Sequence, residues 1–429
     1  MYRKLFGFSL GTGISRAFGF IREIVIAHFF GASASLDAFW VSFRIANLAR
    51  EMLAEGSIIP SFVPLFTDKV KSDQQAGYRF ANTAICTVLT IALIISIFTA
   101  LFAPYLVRII SPGFYHDTFR FNLATRLTRM MSPFLPIMVV ATFFMGILNY
   151  FSRFFVTGIA PVLFNIGIIA TSVIFAKYIG VYSIAIGVLI GGIGQATLQY
   201  HFLKSHGYRF RPYPIFSDPT VRRMLRLMLP VVISFLVLRL SSIINTIIAS
   251  FLAIGSISYL EYAFRFIYLP VGMIGVTIAN VGIPTFTRQF ADTGSITQDL
   301  HKVLKFGILC SVAAITLLLI FAHPLCRIVY QHGAFTAVDT YHTSRVIRFY
   351  SFAILGMTLN RTFSSIFYAL KEPTTPLKVT LIGVAIHLGV ALTFVGRLGL
   401  VALPLGVSVS SISSSVIYGV LVKRRLNGR

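Results

Sequence analysis

Residues 5–30 read LFGFSLGTGISRAFGFIREIVIAHFF, 26 residues with only Arg16, Arg22 and Glu23 as formal charges. A bilayer core is crossed by about 20 predominantly apolar residues in a helix, so the stretch is long enough to span. A charge at the bilayer centre costs roughly 2.5–3.5 kcal/mol on the insertion scale, so a lone span would not keep three of them. The helix therefore belongs to a bundle whose other members, or enclosed water, receive those groups. Its basic start, Met1-Tyr2-Arg3-Lys4, has the flank of a signal peptide. The internal charges and the missing small-residue cleavage site predict that it stays in the mature chain.

The rest of the chain extends the pattern. Of its 429 residues 56% are apolar and 12% charged, and the mean hydropathy is +0.82, which excludes a water-soluble domain of any size. Apolar stretches broken by Gly, Pro and charge clusters predict about twelve transmembrane helices, over 5–30, 36–66, 80–110, 121–150, 157–178, 181–204, 222–253, 257–290, 302–330, 342–370, 375–396 and 399–423. The formal charge of +24 would suggest nucleic acid in a soluble protein; here it marks loops, and no nucleic-acid partner is expected. Counted in or beside the connections, the termini and even-numbered loops hold 21 Lys and Arg and the odd-numbered loops 9. Both termini are thus predicted to be cytoplasmic, with the Lys423-Arg424-Arg425 tail near anionic lipid. Cys86, Cys310 and Cys326 show neither CxxC nor Cys/His spacing, so no disulfide framework or metal site is expected.

Landmarks recur at an offset of roughly six helices. Phe43-Arg44 with Leu48 matches Phe264-Arg265 with Leu269, and Pro64 to Thr67 matches Pro284 to Thr287. Leu106-Val107-Arg108-Ile109 matches Leu325-Cys326-Arg327-Ile328, and Gly158 to Pro161 answers Pro373 to Pro376. Four matches in one order predict a duplicated six-helix unit, with lobes 1–215 and 216–429 related by a parallel repeat. Within the predicted spans, and not counted with the connections, fall Arg16, Arg22, Glu23, Asp37, Arg44, Arg50, Glu51, Glu55, Arg239, Glu261, Arg265 and Arg361. Exposing all twelve to lipid would cost about 30–40 kcal/mol, so they must face one another or a wet cavity. On an ideal helix Asp37, Arg44, Glu51 and Glu55 lie within about 40° of one another, a polar stripe. Arg16 and Glu23 share a face, while Arg22 and Arg50 point elsewhere. Arginine forks in a wet, lipid-flanked cavity suit phosphate. A transporter with a central cationic cavity for a phosphorylated substrate follows, with Glu23, Arg44, Glu51 and Glu261 as cavity salt bridges. A drug exporter would need fewer fixed arginines. In a purely structural membrane protein the same charges would only staple bundles together.

Ser15-Arg16-Ala17-Phe18-Gly19-Phe20-Ile21-Arg22-Glu23, Phe30-Gly31-Ala32, Asp37-Ala38-Phe39, Asn47-Leu48-Ala49-Arg50 and Ala54-Glu55-Gly56 resemble the opening of the MurJ/MviN lipid II flippases. That family belongs to the multidrug/oligosaccharidyl-lipid/polysaccharide exporter superfamily. The resemblance continues through Phe62-Val63-Pro64, Pro112-Gly113-Phe114, Ile244-Asn245-Thr246, Tyr262-Ala263 with Arg265, Phe335-Thr336 and Thr375-Pro376-Leu377-Lys378. It implies a bacterial inner-membrane protein. Its substrate would be the undecaprenyl-diphosphate-linked peptidoglycan precursor lipid II, flipped from the cytoplasmic to the periplasmic leaflet by alternating access. Membrane lipids and other cell-wall synthesis proteins would be its partners. It further implies that Arg16, Arg22 and Arg265 contact the diphosphate. Arg50 and Glu55 would pair in the cavity and help form a cytoplasmic gate, with Asp37 in gating or headgroup contact. A different polyprenyl-diphosphate-linked oligosaccharide is the alternative cargo. Three features depart from the family pattern. Phe264 stands where many relatives carry an acidic residue, with Glu261 one turn earlier. No carboxylate falls between Asp218 and Glu261 or after Glu372, so a cation site in helices seven, eleven and twelve would rest on neutral oxygens such as Asn245. Relatives usually carry two further helices. No cofactor is expected, and nine scattered histidines without HExxH or GxSxG give no reason to expect an enzyme.

Overall fold

A computed structural model of the chain describes residues 2–214, 218–273, 297–370, 372 and 374–427, and all its regular elements are helices. The opening stretch forms α1 (Tyr2–Phe30), stopped by Gly31 at φ +55°, a left-handed turn that glycine adopts without steric cost. Ser33 then caps α2 (Ala34–Ala49), its hydroxyl accepting from Leu36 N. The helix continues as a π-helical segment over Arg50–Ile58 and returns to α geometry in α3 (Ile59–Ser72). Asp73 caps α4 (Gln74–Leu101) through Gln75 N and Ala76 N. Pro104 sits in the first turn of α5 (Ala103–Ile110), where its missing N–H costs least. Asp117 caps α6 (Thr118–Met131), and a break at Ser132-Pro133 sets off α7 (Phe134–Tyr150). Then follow α8 (Phe154–Ile159), α9 (Pro161–Ile179), α10 (Tyr182–Lys204) and α11 (Pro219–Ala249). The remainder comprises α12 (256–273), α13 (Thr297–Tyr330), α14 (Ala337–Ser351), α15 (Ala353–Ala369), α16 (Thr374–Leu398) and α17 (Ala402–Asn427).

Each of the twelve stretches expected from the sequence overlaps helix among the described residues, the seventh only to residue 249 and the eighth as far as residue 273. Among the described residues seven helical stretches are long and apolar enough to cross a membrane, one of which, Thr374–Arg425, holds both α16 and α17. The charged α1 and the α2–α3 rod are not among the seven. Two pairs of the repeat landmarks lie beside prolines. Leu106 to Ile109 and Leu325 to Ile328 each follow a proline near a helix end, and Pro161 and Pro376 each lie in a helix's first turn. Pro284 to Thr287 fall outside the described residues.

Packing divides the chain into two compact units, Met1–Arg239 and Leu240–Arg429, the division falling inside α11. In the first, α9 and α10 meet at backbone distance. A Cβ on Gly191 would stand 2.6 Å from Phe164 O, and one on Gly167 2.6 Å from Gly191 Cα, so glycine alone fits this crossing. Phe62 stacks on Phe66 and Phe80 and meets the edge of Phe143, welding α3, α4 and α7. In the second unit, Leu300, Phe363, Ile366, Phe367, Val379, Tyr418 and Val422 form a buried cluster where α13, α15, α16 and α17 converge.

Candidate functional site

The charges of α1 are held from α9. Arg22 donates through Nη2 to Glu23 Oε1 at 2.5 Å and through Nη1 to Asn165 Oδ1 at 3.1 Å. Asn165 donates back to the Ser15 carbonyl at 3.2 Å. Its amide thereby clips two turns of α1 at once. Glu23 is fully buried, the Arg22 side chain is 11% exposed, and the guanidinium stands 6.0 Å from the centre of the Phe164 ring. A buried pair is held better the more of its remaining polar atoms find partners, and Asn165 supplies one, at Arg22 Nη1. Arg16 is exposed and makes no ion pair among the described residues. The face it shares with Glu23 on an ideal helix is thus covered at one level and open at the other.

A second network lies where the long rod changes geometry. Arg50 Nε donates to Asn47 Oδ1 at 2.8 Å, and Asn47 Nδ2 donates to Glu51 Oε1 at 3.0 Å. Glu51 Oε2 pairs with Arg239 Nε of α11 at 2.7 Å. The Arg50 guanidinium stands 6.0 Å from the Phe134 ring centre. Phe235, one turn before Arg239, nests on Gly56, where a Cβ would come 2.8 Å from the ring and 2.6 Å from Glu51 O. α11 therefore reads the π segment twice on one face, by a ring and by a charge.

This geometry replaces the straight stripe expected from the sequence. Asp37 is fully buried in the first turn of α2, where the helix N-terminus favours a negative charge. Arg44 is half-buried. Beyond residue 50 the i→i+5 pattern adds nearly a residue to each turn and rotates later positions off the α register, while Glu51, at the start of the segment, meets Arg239. The partner expected for Arg50, Glu55, has its backbone in the π segment, and its side chain lies outside the described residues. In the second unit Glu261 and Arg265 are half-buried one turn apart on α12, and Arg361 is exposed on α15.

Sequence reasoning gave no role to Asn47, Asn165 or Phe235, and missed the partners of Asn245 in the second unit. There Asn245 Nδ2 donates to the Tyr350 hydroxyl at 3.1 Å, and the fully buried His387 lies with Nε2 3.0 Å from Asn245 Oδ1. The Asn245 oxygen that a cation would need is therefore engaged by a histidine. No group of three or more metal-ligating side chains is gathered among the described residues. For Asn47, Asn165, Asn245 and His387 the available signal was a polar residue within an apolar run; Phe235, one apolar residue among many, gave none. Outside the apolar stretches, Asp218 accepts from Thr220 N at 2.8 Å and pairs with Lys69 at 3.4 Å. Burial raises its carboxyl, and the Thr220 and Lys69 donors outweigh that and hold it below the ordinary 3.8.

Among the described residues the chain is all helical, with seven stretches fit to cross a membrane and Arg22, Arg50 and Arg239 held in part-buried networks, the build of a polytopic membrane protein. A solved structure described as the inward-facing conformation of a multidrug resistance MATE family transporter of the multidrug/oligosaccharidyl-lipid/polysaccharide exporter superfamily superposes with a TM-score of 0.80, covering 96% of this chain and 95% of that one at 15% identity. That similarity speaks for the fold alone. The family description "Lipid II flippase MurJ" matches residues 26–429. A "Probable lipid II flippase MurJ" of Buchnera aphidicola is 31% identical over 388 residues, 89% of this chain and 75% of the relative. The "Lipid II flippase MurJ" of Burkholderia cenocepacia is 31% identical over 437 residues, 99% of this chain and 84% of the relative. A solved structure of lipid II flippase MurJ in an inward closed conformation matches with a TM-score of 0.85 at 26% identity, covering 97% and 87% of the two chains. The chain belongs to the lipid II flippase MurJ family.

Proposed function

We propose that this chain flips lipid II from the cytoplasmic to the periplasmic leaflet of a bacterial inner membrane, with both termini cytoplasmic and alternating access between lobes 1–215 and 216–429. The observation that carries the reading is the set of arginines retained in the membrane helices of a chain whose relatives are lipid II flippases. A diphosphate needs planar donors that stay charged at any physiological pH, which is the chemistry of Arg rather than Lys. Arg22, held by Glu23 and Asn165, supplies a fixed donor. Arg16, exposed on an apolar helix, costs several kcal/mol unless it meets water or substrate, so it makes the more mobile contact. Arg265 completes the diphosphate set. Arg50 and Glu55 gate the cytoplasmic side, Asp37 near the periplasmic end of α2 serves gating or headgroup contact, and Glu51 with Arg239 latches the π segment to α11. Membrane lipids and other cell-wall synthesis proteins are its neighbours in this role.

The test is depletion of the resident lipid II flippase in a bacterium, with this chain or its Arg16→Ala variant supplied. Survival and externally accessible lipid II are scored at matched membrane levels. Wild type should rescue both and the variant neither. Failure of a well-inserted wild type would reassign the cargo to another polyprenyl-diphosphate-linked sugar, and rescue by the variant would remove Arg16 from the site.

A further inference from the structure

The connection after α10 was counted in the sequence only as charge, but it is built. Gly207, at φ +81°, turns the chain as Tyr208 N bonds back to Leu203 O. Tyr208 is then fully buried and donates its hydroxyl to Asn82 Oδ1 at 2.6 Å, with its ring edge-on to Tyr78. This anchor fixes the helix-free run that follows. Its alternate residues Arg209, Arg211 and Tyr213 line one wall of a cavity of about 330 Å³, the period-two pattern of an extended chain. The facing wall is one side of the first turns of α4, namely Gln74, Gln75, Tyr78, Arg79 and Asn82, at spacings of three and four that share a helical face.

The lining thus holds three guanidinium groups, carboxamides and tyrosine hydroxyls, and no carboxylate is among the lining residues. Asp73 approaches from outside the lining and reaches Arg79 only at 3.6 Å, with both side chains at least half exposed, a pairing too weak to neutralise the wall. The Asn82 oxygen is already taken by Tyr208, which leaves its amide as a donor. Forked, charged donors opposite neutral ones recognise a tetrahedral oxyanion. The cleft is open to solvent on one side and has more room than a bare phosphate fills. The cavity sits at the polar start of α4, where the helix enters one of the seven apolar candidate spans.

We propose that this cavity is a binding site for a phosphate ester, distinct from the intramembrane arginines and independent of whether the chain flips lipid II. The phosphate can come from an anionic lipid headgroup at the membrane surface or from a soluble phosphate ester. Purified, delipidated full-length chain would be examined by native mass spectrometry with phosphatidylglycerol, phosphatidylcholine or glycerol 3-phosphate as the probe. An Arg209→Gln/Arg211→Gln variant and a Lys177→Gln/Arg397→Gln control, which removes the same charge from exposed positions at the ends of α9 and α16, would run beside it. Phosphatidylglycerol should be retained by wild type and control and lost by about tenfold or more in the cavity variant, the effect of losing at least one charge-assisted hydrogen bond, with little phosphatidylcholine held by any of them. Retention of glycerol 3-phosphate with the same variant dependence assigns the site to a soluble ester. Equal retention of every probe by wild type and cavity variant, or equal loss in cavity variant and control, would overturn the proposal.

Discussion

Glu23 shows how much a single intramembrane side chain carries. It is wholly buried, and its partner Arg22 is nearly so. Replacing it with Ala leaves a buried guanidinium facing a neutral amide, and removing one member of such a pair costs about 3–5 kcal/mol. Glu23→Ala should therefore unfold markedly earlier in detergent, and the Glu23→Ala/Arg22→Ala double variant should recover part of the loss. A single variant as stable as wild type would mean that the pair is not holding α1. The sequence disclosed that Arg22 and Glu23 needed partners, because a charge in a 26-residue apolar run has no other explanation. It did not disclose which partners. Consecutive residues point about 100° apart on an ideal helix, yet two long side chains can bend across that angle and meet. Asn165 lies 143 residues away, and nothing in its neighbourhood separates it from an asparagine packed for structure alone. His387 likewise looked like one of nine scattered histidines until the fold set it beside Asn245.

The element that sequence periodicity could not foresee is the π segment, since its residues fit an α pattern as well as their neighbours do. Two features mark it in space, Gly56 beneath Phe235 and Glu51 facing Arg239. A methyl on Gly56 has neither room toward the ring nor toward the Glu51 carbonyl. Gly56→Ala should cost about 1–3 kcal/mol as an overpacked contact, read as a lowered unfolding midpoint. Adding Phe235→Ala should relieve only the ring part, because the backbone oxygen stays in place; full recovery would place the whole conflict at the ring. At the start of α11, Asp218 links two elements by accepting from Thr220 N and pairing with Lys69. A carboxyl lowered in the folded state stabilises above its unfolded value and loses that contribution as pH falls through the folded one. The wild-type unfolding midpoint should thus gain a step over Asp218→Asn that is constant near neutrality and fades as pH falls below about 4. A difference independent of pH across that range would rule out the charge as its source.

For the whole molecule, composition was the most legible quantity, because a chain this apolar has only one solvent it can fold in. Helix positions followed, since a bilayer demands long uninterrupted runs, while kinks such as the one between α4 and α5 depend on local packing. The charge asymmetry of the loops predicts orientation, which labelling can decide. In a background lacking Cys86, Cys310 and Cys326, Ser72→Cys between α3 and α4 should react with an impermeant maleimide only after cells are lysed. Tyr178→Cys, 84% exposed at the end of α9, should react in intact spheroplasts. The reverse pattern would invert the topology. The clip between α1 and α9 also constrains how the protein is made. Arg22 enters the membrane 143 residues before its Asn165 partner is translated, an interval of roughly 7–30 s at about 5–20 residues per second. Throughout that delay the first helix has Glu23 as its only local counter-charge, so the nascent chain must be sheltered by the insertion machinery until α9 arrives to release it.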